Sequence, residues 1–185
     1  MQPFFKRDKT DYSGIARQII KNTGLDENLG ILRQKKHVHP SKPRETLKLI
    51  LSLSTVNLAQ TLKSDFIVQE VPEEVREGIL KEYVHESLRQ QELMRLAGAE
   101  IAALYPEVMA VVAELQNFWS ESEDPQGSGP GPRYFCVKEV LRRLGGDVNY
   151  DLRDALFELM YLQYRHYHKF FQSHLSQPDP KGPGP

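Results

Sequence analysis

Glu45–Leu62, ETLKLILSLSTVNLAQTL, is the stretch in which the fold is decided. Its apolar residues Leu47, Ile50, Leu51, Val56, Leu58, Ala59 and Leu62 spread over most of the circumference of a helix instead of forming one stripe. A helix that is apolar on nearly every side has to be surrounded by others, so this segment belongs in the middle of a helical bundle. With 185 residues the chain can bury a sizeable core without disulfide or metal staples. No run approaches the ~20 apolar residues that a membrane span requires.

On the N-terminal side, the HVHPSKP run from His37 to Pro43 breaks the helical pattern with two closely spaced prolines. Before it, Ile15, Ala16, Ile19 and Ile20 define a helix from about Tyr12 to Asn22, started by Asp11 or Ser13 and ended at Thr23-Gly24. A second short helix is expected from Asp26 to Lys36, around Leu29, Ile31 and Leu32.

On the C-terminal side, Asp65–Val71 has β-type composition but no second run to pair with, and reads as an extended connector. Pro72 followed by Glu73, Glu74 and Glu77 suits a helix start, and that helix is expected to reach about Leu104, with Gly78 and Gly98 as local weak points. Pro106 would open the next helix, whose stripe is Val108, Met109, Val111, Val112, Leu115, Phe118 and Trp119. Residues 120–133, containing SESEDPQGSGPGP, form a Gly/Pro/acidic linker or loop. Two further helices follow, Tyr134–Leu144 and Asp151–Leu175, and residues 176–185 form a proline-rich tail expected to be disordered.

The expected fold is therefore an all-α bundle of five to seven helices, with Glu73–Leu104 and Asp151–Leu175 as its long members. Its organisation would be a main bundle over 1–119, a linker over 120–133, a C-terminal helical pair over 134–175 packed on the bundle, and a tail. No internal repeat is evident.

Charge is balanced overall, with 24 Lys and Arg against 25 Asp and Glu, which argues against a generic nucleic-acid binder. It is not evenly distributed. Residues 1–64 carry a net +7, residues 65–132 a net -10 and residues 133–185 a net +2, and attraction between parts of one fold accounts for this without a partner. The N-terminus MQPFFKRDK has charges where a secretory signal needs an apolar run, and the lone cysteine, Cys136, has no internal disulfide partner. A cytoplasmic location is expected.

No motif reaches a named chemistry. Glu82 and His85 lie three residues apart and would share a helix face, as in carboxylate-bridged metal bundles, but such sites need a second Glu-x-x-His pair, which the chain lacks. A charged flank, with Glu86 paired to Arg89, is the plainer reading. The helical wheel places His166 with Gln163 inside the apolar arc of Leu152, Leu156, Leu159, Tyr167 and Phe170, as a core network, a metal ligand or a pocket lining. His37 and His39 are too few for a zinc site. Cys136, Ser52 and Ser54 have no nucleophile signature around them.

A helix-turn-helix outline surrounds Arg142 and Arg143, but the helix after it is lined with Leu, Met and Phe instead of groove-reading polar residues. The cluster Arg33, Lys35, Lys36, Lys42 and Arg44 is a better candidate for phosphate or an acidic partner. The aromatics Phe157, Tyr161, Tyr164, Tyr167, Phe170 and Phe171 circle their helix, so that some need cover from another helix or chain.

The expectation is a non-catalytic accessory protein acting through helix surfaces, with a homodimer as one form of that association and Tyr161, Tyr164, Phe171, Arg33, Lys35 and Lys36 toward a partner. The rival is a helical-bundle enzyme holding a divalent metal on Glu82, His85 and His166. A nucleic-acid binder using the basic N-terminal third comes third, and no other cofactor is expected.

Overall fold

The structure, a computed structural model, describes residues 10–23, 43–92, 98–122, 131–144 and 150–175. Among them are seven helices and no strand: α1 (Tyr12–Thr23), α2 (Pro43–Leu62), α3 (Asp65–Val68), α4 (Glu73–Glu92), α5 (Gly98–Glu121), α6 (Pro132–Arg143) and α7 (Tyr150–Leu175). The all-α bundle expected from the sequence is what forms. No helix is long and apolar enough to cross a membrane among the described residues.

α2 is the central member, packed against α4, α5, α6 and α7. Leu49, Ile50, Leu51, Leu53, Val56 and Leu58 are all buried, and so are Thr46, Ser52, Ser54, Thr55, Asn57 and Thr61. A core helix tolerates so many polar side chains because several satisfy themselves locally. Ser52, Thr55 and Thr61 donate to the carbonyls of Lys48, Leu51 and Asn57 at 2.7, 2.7 and 2.9 Å.

α1 packs on α4 and α7. Of its two candidate caps, Asp11 is the one used, accepting a hydrogen bond from the Gly14 amide at 2.8 Å. Gly78 on α4 has a packing reason: a Cβ there would lie 2.6 Å from Cε1 of Tyr12, so glycine is what lets α1 approach this closely.

Three expectations need correction. Asp65–Val68 is a helical turn and not an extended connector, with the Ile67 and Val68 amides donating to the Ser64 carbonyl at 2.9 and 3.0 Å and Ile67 buried. Lacking a strand partner, the segment satisfies its backbone within itself. The long helix from Glu73 to Leu104 is instead two helices that pack on each other, α4 ending at Glu92 and α5 starting at Gly98. His85 and Tyr105 stack with ring centroids 4.1 Å apart, whereas twenty residues of one straight helix would hold them about 30 Å apart. Pro106 does not open a helix but lies inside α5, which the buried stripe of Leu104, Val108, Val111, Val112 and Leu115 holds together on both sides of it.

One hydrophobic core runs through the bundle, from Ile15 and Ile19 on α1 to Val137 and Val140 on α6 and Phe170 and Phe171 on α7. The expected helix at 26–36 and the tail at 176–185 lie outside the described residues, as does most of the linker at 120–133, whose two ends belong to α5 and α6.

Candidate functional site

The Glu82–His85 face is a surface patch. Glu82 is half-buried and accepts a hydrogen bond from the Ser13 hydroxyl of α1 at 2.8 Å, while the exposed His85 ring lies parallel to Tyr105. Burial, with help from the Glu82 charge, raises the Tyr105 hydroxyl above its ordinary value. Glu86 is buried and bound by Arg89 at 2.8 Å.

His166 is not inside the apolar arc. It is exposed on α7, where it lines a basic surface with Arg165, His168 and Lys169. The arc is centred further round the helix because Met160 and Phe171 are fully buried on the side away from His166. Among the described residues no group of three or more His, Cys, Asp or Glu is placed to hold a metal ion. Glu82, His85 and His166 are thus not united in a donor set.

Gln163 does enter the core, in a polar layer shared by α2, α4 and α7. Its amide Nε2 donates to Ser54 Oγ at 2.9 Å, Asn57 Nδ2 donates to the Met160 carbonyl at 2.7 Å, and the Tyr83 and Tyr167 hydroxyls meet at 2.9 Å with their rings edge to face. Burial pushes Tyr83 up to about 12 against the lowering effect of its hydroxyl neighbours, and burial followed by Tyr83 pushes Tyr167 well above its ordinary value. Both phenols stay protonated at neutral pH. Every side chain here is sealed from solvent, and Asn57 Oδ1, Ser87 Oγ and Gln163 Oε1 have no hydrogen-bond partner among the described residues. Such a layer fixes the register of three helices, because a slip of any one would strand the donors of the others.

The sequence's other nucleophile candidates are equally enclosed. Ser52 donates to backbone carbonyls, and burial pushes the Cys136 thiol up to about 12, which leaves it protonated and inert.

An aromatic-lined concavity lies where the end of α5 meets α6 and the start of α7. A cavity of about 370 Å³ there is lined by Phe118, Tyr134, Phe135, Leu141 and Phe157, with Lys138, Glu139, Arg142 and Arg153 as its charged groups. Tyr134 stacks on Phe157 with centroids 5.9 Å apart, and Phe118 is 37% exposed. Glu139 is consumed by its own helix: Arg142 binds both carboxylate oxygens at 2.8 and 2.7 Å and Arg143 reaches one at 2.8 Å. The Arg142 hydrogen bonds, joined by Arg143, hold its pKa down at about 2 against the opposing effect of burial. Arg143 also pairs with Glu114 of α5, which ties α6 down beside the groove.

The residues expected to face a partner divide among several environments. Tyr161 is 57% exposed, one turn beyond Phe157 on α7. Tyr164 is half-buried beneath the Arg133 guanidinium, which sits 4.5 Å from its ring and 5.5 Å from that of Trp119. Phe171 is fully buried, on a helix against which α1 and α2 pack. Arg33, Lys35 and Lys36 lie outside the described residues, as do His37, His39 and Lys42; Arg44 is bound by Glu107 at 2.5 Å.

Of the groove's aromatic lining, the helical patterns in the sequence mark only Phe157, in a crowded helix, and Phe118, in a core stripe. Tyr134 and Phe135 carried the missing signal, two adjacent aromatics directly after a linker. The chain matches no protein-family model, no curated protein and no solved structure.

Proposed function

We propose that this chain is a non-catalytic accessory protein that docks a protein partner in the aromatic groove formed by α5, α6 and α7. The observation that carries this reading is the groove itself, an apolar concavity of about 370 Å³ with Phe118 and, beyond it, Tyr161 open to solvent. The enclosed state of Cys136, Ser54, Tyr83 and Tyr167 supports a binding role over a catalytic one, since a nucleophile or acid has to reach its substrate.

Site-specific cross-linking tests the reading. A photoreactive side chain at Phe118 or Tyr161 is expected to give a defined adduct in native extract, and one at Arg17, exposed on α1, is not. Equal labelling from all three positions, or none from the groove, removes the proposal. Metal analysis of the purified protein bears on the rival enzyme: a stoichiometric metal lost on substituting His85 and His166 would replace docking as the preferred function.

A further inference from the structure

The outward face of α7 carries a charge pattern that a second copy of the chain would complete. Asp154, Glu158, Tyr161, Arg165 and Lys169 are all exposed. They fall within about 80° of one another on the helical wheel, opposite the buried Leu156, Gln163 and Tyr167. Along this line two acids precede Tyr161 and two bases follow it. At 57%, Tyr161 is the most exposed large apolar side chain among the described residues.

Within one chain the pattern is largely unused. Among the described residues, the side chains of Glu158 and Lys169 make no hydrogen bond or ion pair, and Arg165 only lies over the Tyr161 ring, 5.8 Å from its centroid. Asp154 is already bound by Arg153 at 2.8 Å, which makes it the weaker of the two acids. Asp154 with Glu158, and Arg165 with Lys169, are like charges one turn apart, an arrangement that weakens a lone helix. The helix dipole favours acids in the first turn and bases in the last, but Glu158 and Arg165 stand well inside α7, beyond its reach.

We infer that two copies associate through α7, antiparallel about a two-fold axis passing between Tyr161 and Leu162. In that register Glu158 meets the partner's Arg165, Asp154 meets the partner's Lys169, and Tyr161 packs on the partner's half-buried Leu162. One register serves every pair, because the midpoint between Glu158 and Arg165 is also the midpoint between Asp154 and Lys169. A parallel arrangement would oppose like charges, whereas the two-fold contact repeats each attraction and closes on itself. Only about 22 Å of helix separates Asp154 from Lys169, too little for a permanent interface, so the dimer is a transient one forming at concentrations on the order of 100 µM. This contact goes beyond the docking groove and adjoins it only at Tyr161.

Sedimentation equilibrium of the purified full chain is expected to show monomer and dimer in exchange, with the dimer weakening as salt rises. Glu158→Arg and Arg165→Glu each place like charges at both central contacts and are expected to weaken it at least about tenfold, with unchanged far-UV circular dichroism. Mixing the two variants restores opposite charges at both contacts, and the mixture is expected to associate more tightly than either variant alone. Two copies of Tyr161→Cys are expected to form a disulfide under mild oxidation, and two of Gln172→Cys, about 30 Å apart in this register, are not. The native Cys136 is buried and takes no part.

A chain that stays monomeric up to about 1 mM, or a dimer indifferent to both charge reversals, overturns the inference. So does loss of the dimer in both variants without recovery in their mixture, or a disulfide from Gln172→Cys and not from Tyr161→Cys. A dimer lost in Phe118→Asp but kept in Glu158→Arg would move the second copy into the groove, which equally overturns the α7 contact.

Discussion

Glu139 shows how one residue can hold charge at a packed helix surface. Its carboxylate is almost covered, and three hydrogen bonds from Arg142 and Arg143 stabilise the ionised form. Its pKa is held at about 2 against an ordinary 4.5, so its contribution to stability is fully present above pH 4.5 and is lost as pH falls through that window toward 2. Glu139→Gln is expected to lower Tm at neutral pH by roughly 2–4 °C, as about 1 kcal/mol does in a chain of this size. The gap to wild type should close as the pH falls below 4.5, and thermal melts across that range check it. A gap independent of pH would mean that the charge of Glu139 contributes nothing. At the same scale, a helical wheel could place Gln163 in the core but not keep His166 out. The two lie close on the wheel, and only the extent of cover over Met160 and Phe171 decides where the buried arc is centred.

Among the elements, α1 and α4 are held by one close approach. Glycine inside a helix ordinarily costs up to about 1 kcal/mol relative to alanine, so Gly78→Ala would be expected to stabilise α4 taken alone. In the fold, the added Cβ would meet Tyr12 at 2.6 to 2.9 Å, and the ring would have to move. Gly78→Ala is therefore expected to lower Tm by a few degrees, and the same substitution in a Tyr12→Ala background to raise it. A double-mutant cycle by thermal melts reads the change of sign; the same sign in both backgrounds would show that Tyr12 does not set the approach. The sequence identified the helices with long apolar patterns, α1, α2, α6 and α7, to within about two residues. It erred at Asp65–Val68 and between Glu92 and Gly98, where composition and periodicity are satisfied by either outcome and tertiary packing chooses. Much the same holds for the groove. Its lining residues come from three helices, and only the fold brings Phe118, Tyr134 and Phe157 together.

Over the whole molecule, α2 makes the bundle interdependent, because helices on both sides of the Gly/Pro/acidic segment complete its surroundings. Ser54 accepts from Gln163, and Asn57 donates to the carbonyl of Met160, so polar side chains in the middle of the first 122 residues take partners from α7. Removing α6 and α7 would take away the Asn57 acceptor and expose to water the apolar face of α2 that they cover, which removes much of the core that holds the remaining helices. The chain is thus expected to unfold in one transition despite the linker-like composition between α5 and α6. Two signals can establish this. The single tryptophan, Trp119, is nearly buried on α5 beside Arg133 of α6, which also covers Tyr164 of α7, so its fluorescence reports the docking of the last two helices. Far-UV circular dichroism reports the helices throughout. In urea the two curves are expected to share one midpoint and one slope, and a version of the chain ending at Ser122 should lack the cooperative transition. If fluorescence changed at lower urea while most ellipticity remained, α6 and α7 would form a separable unit. The groove they build with Phe118 would then open and close independently of the core.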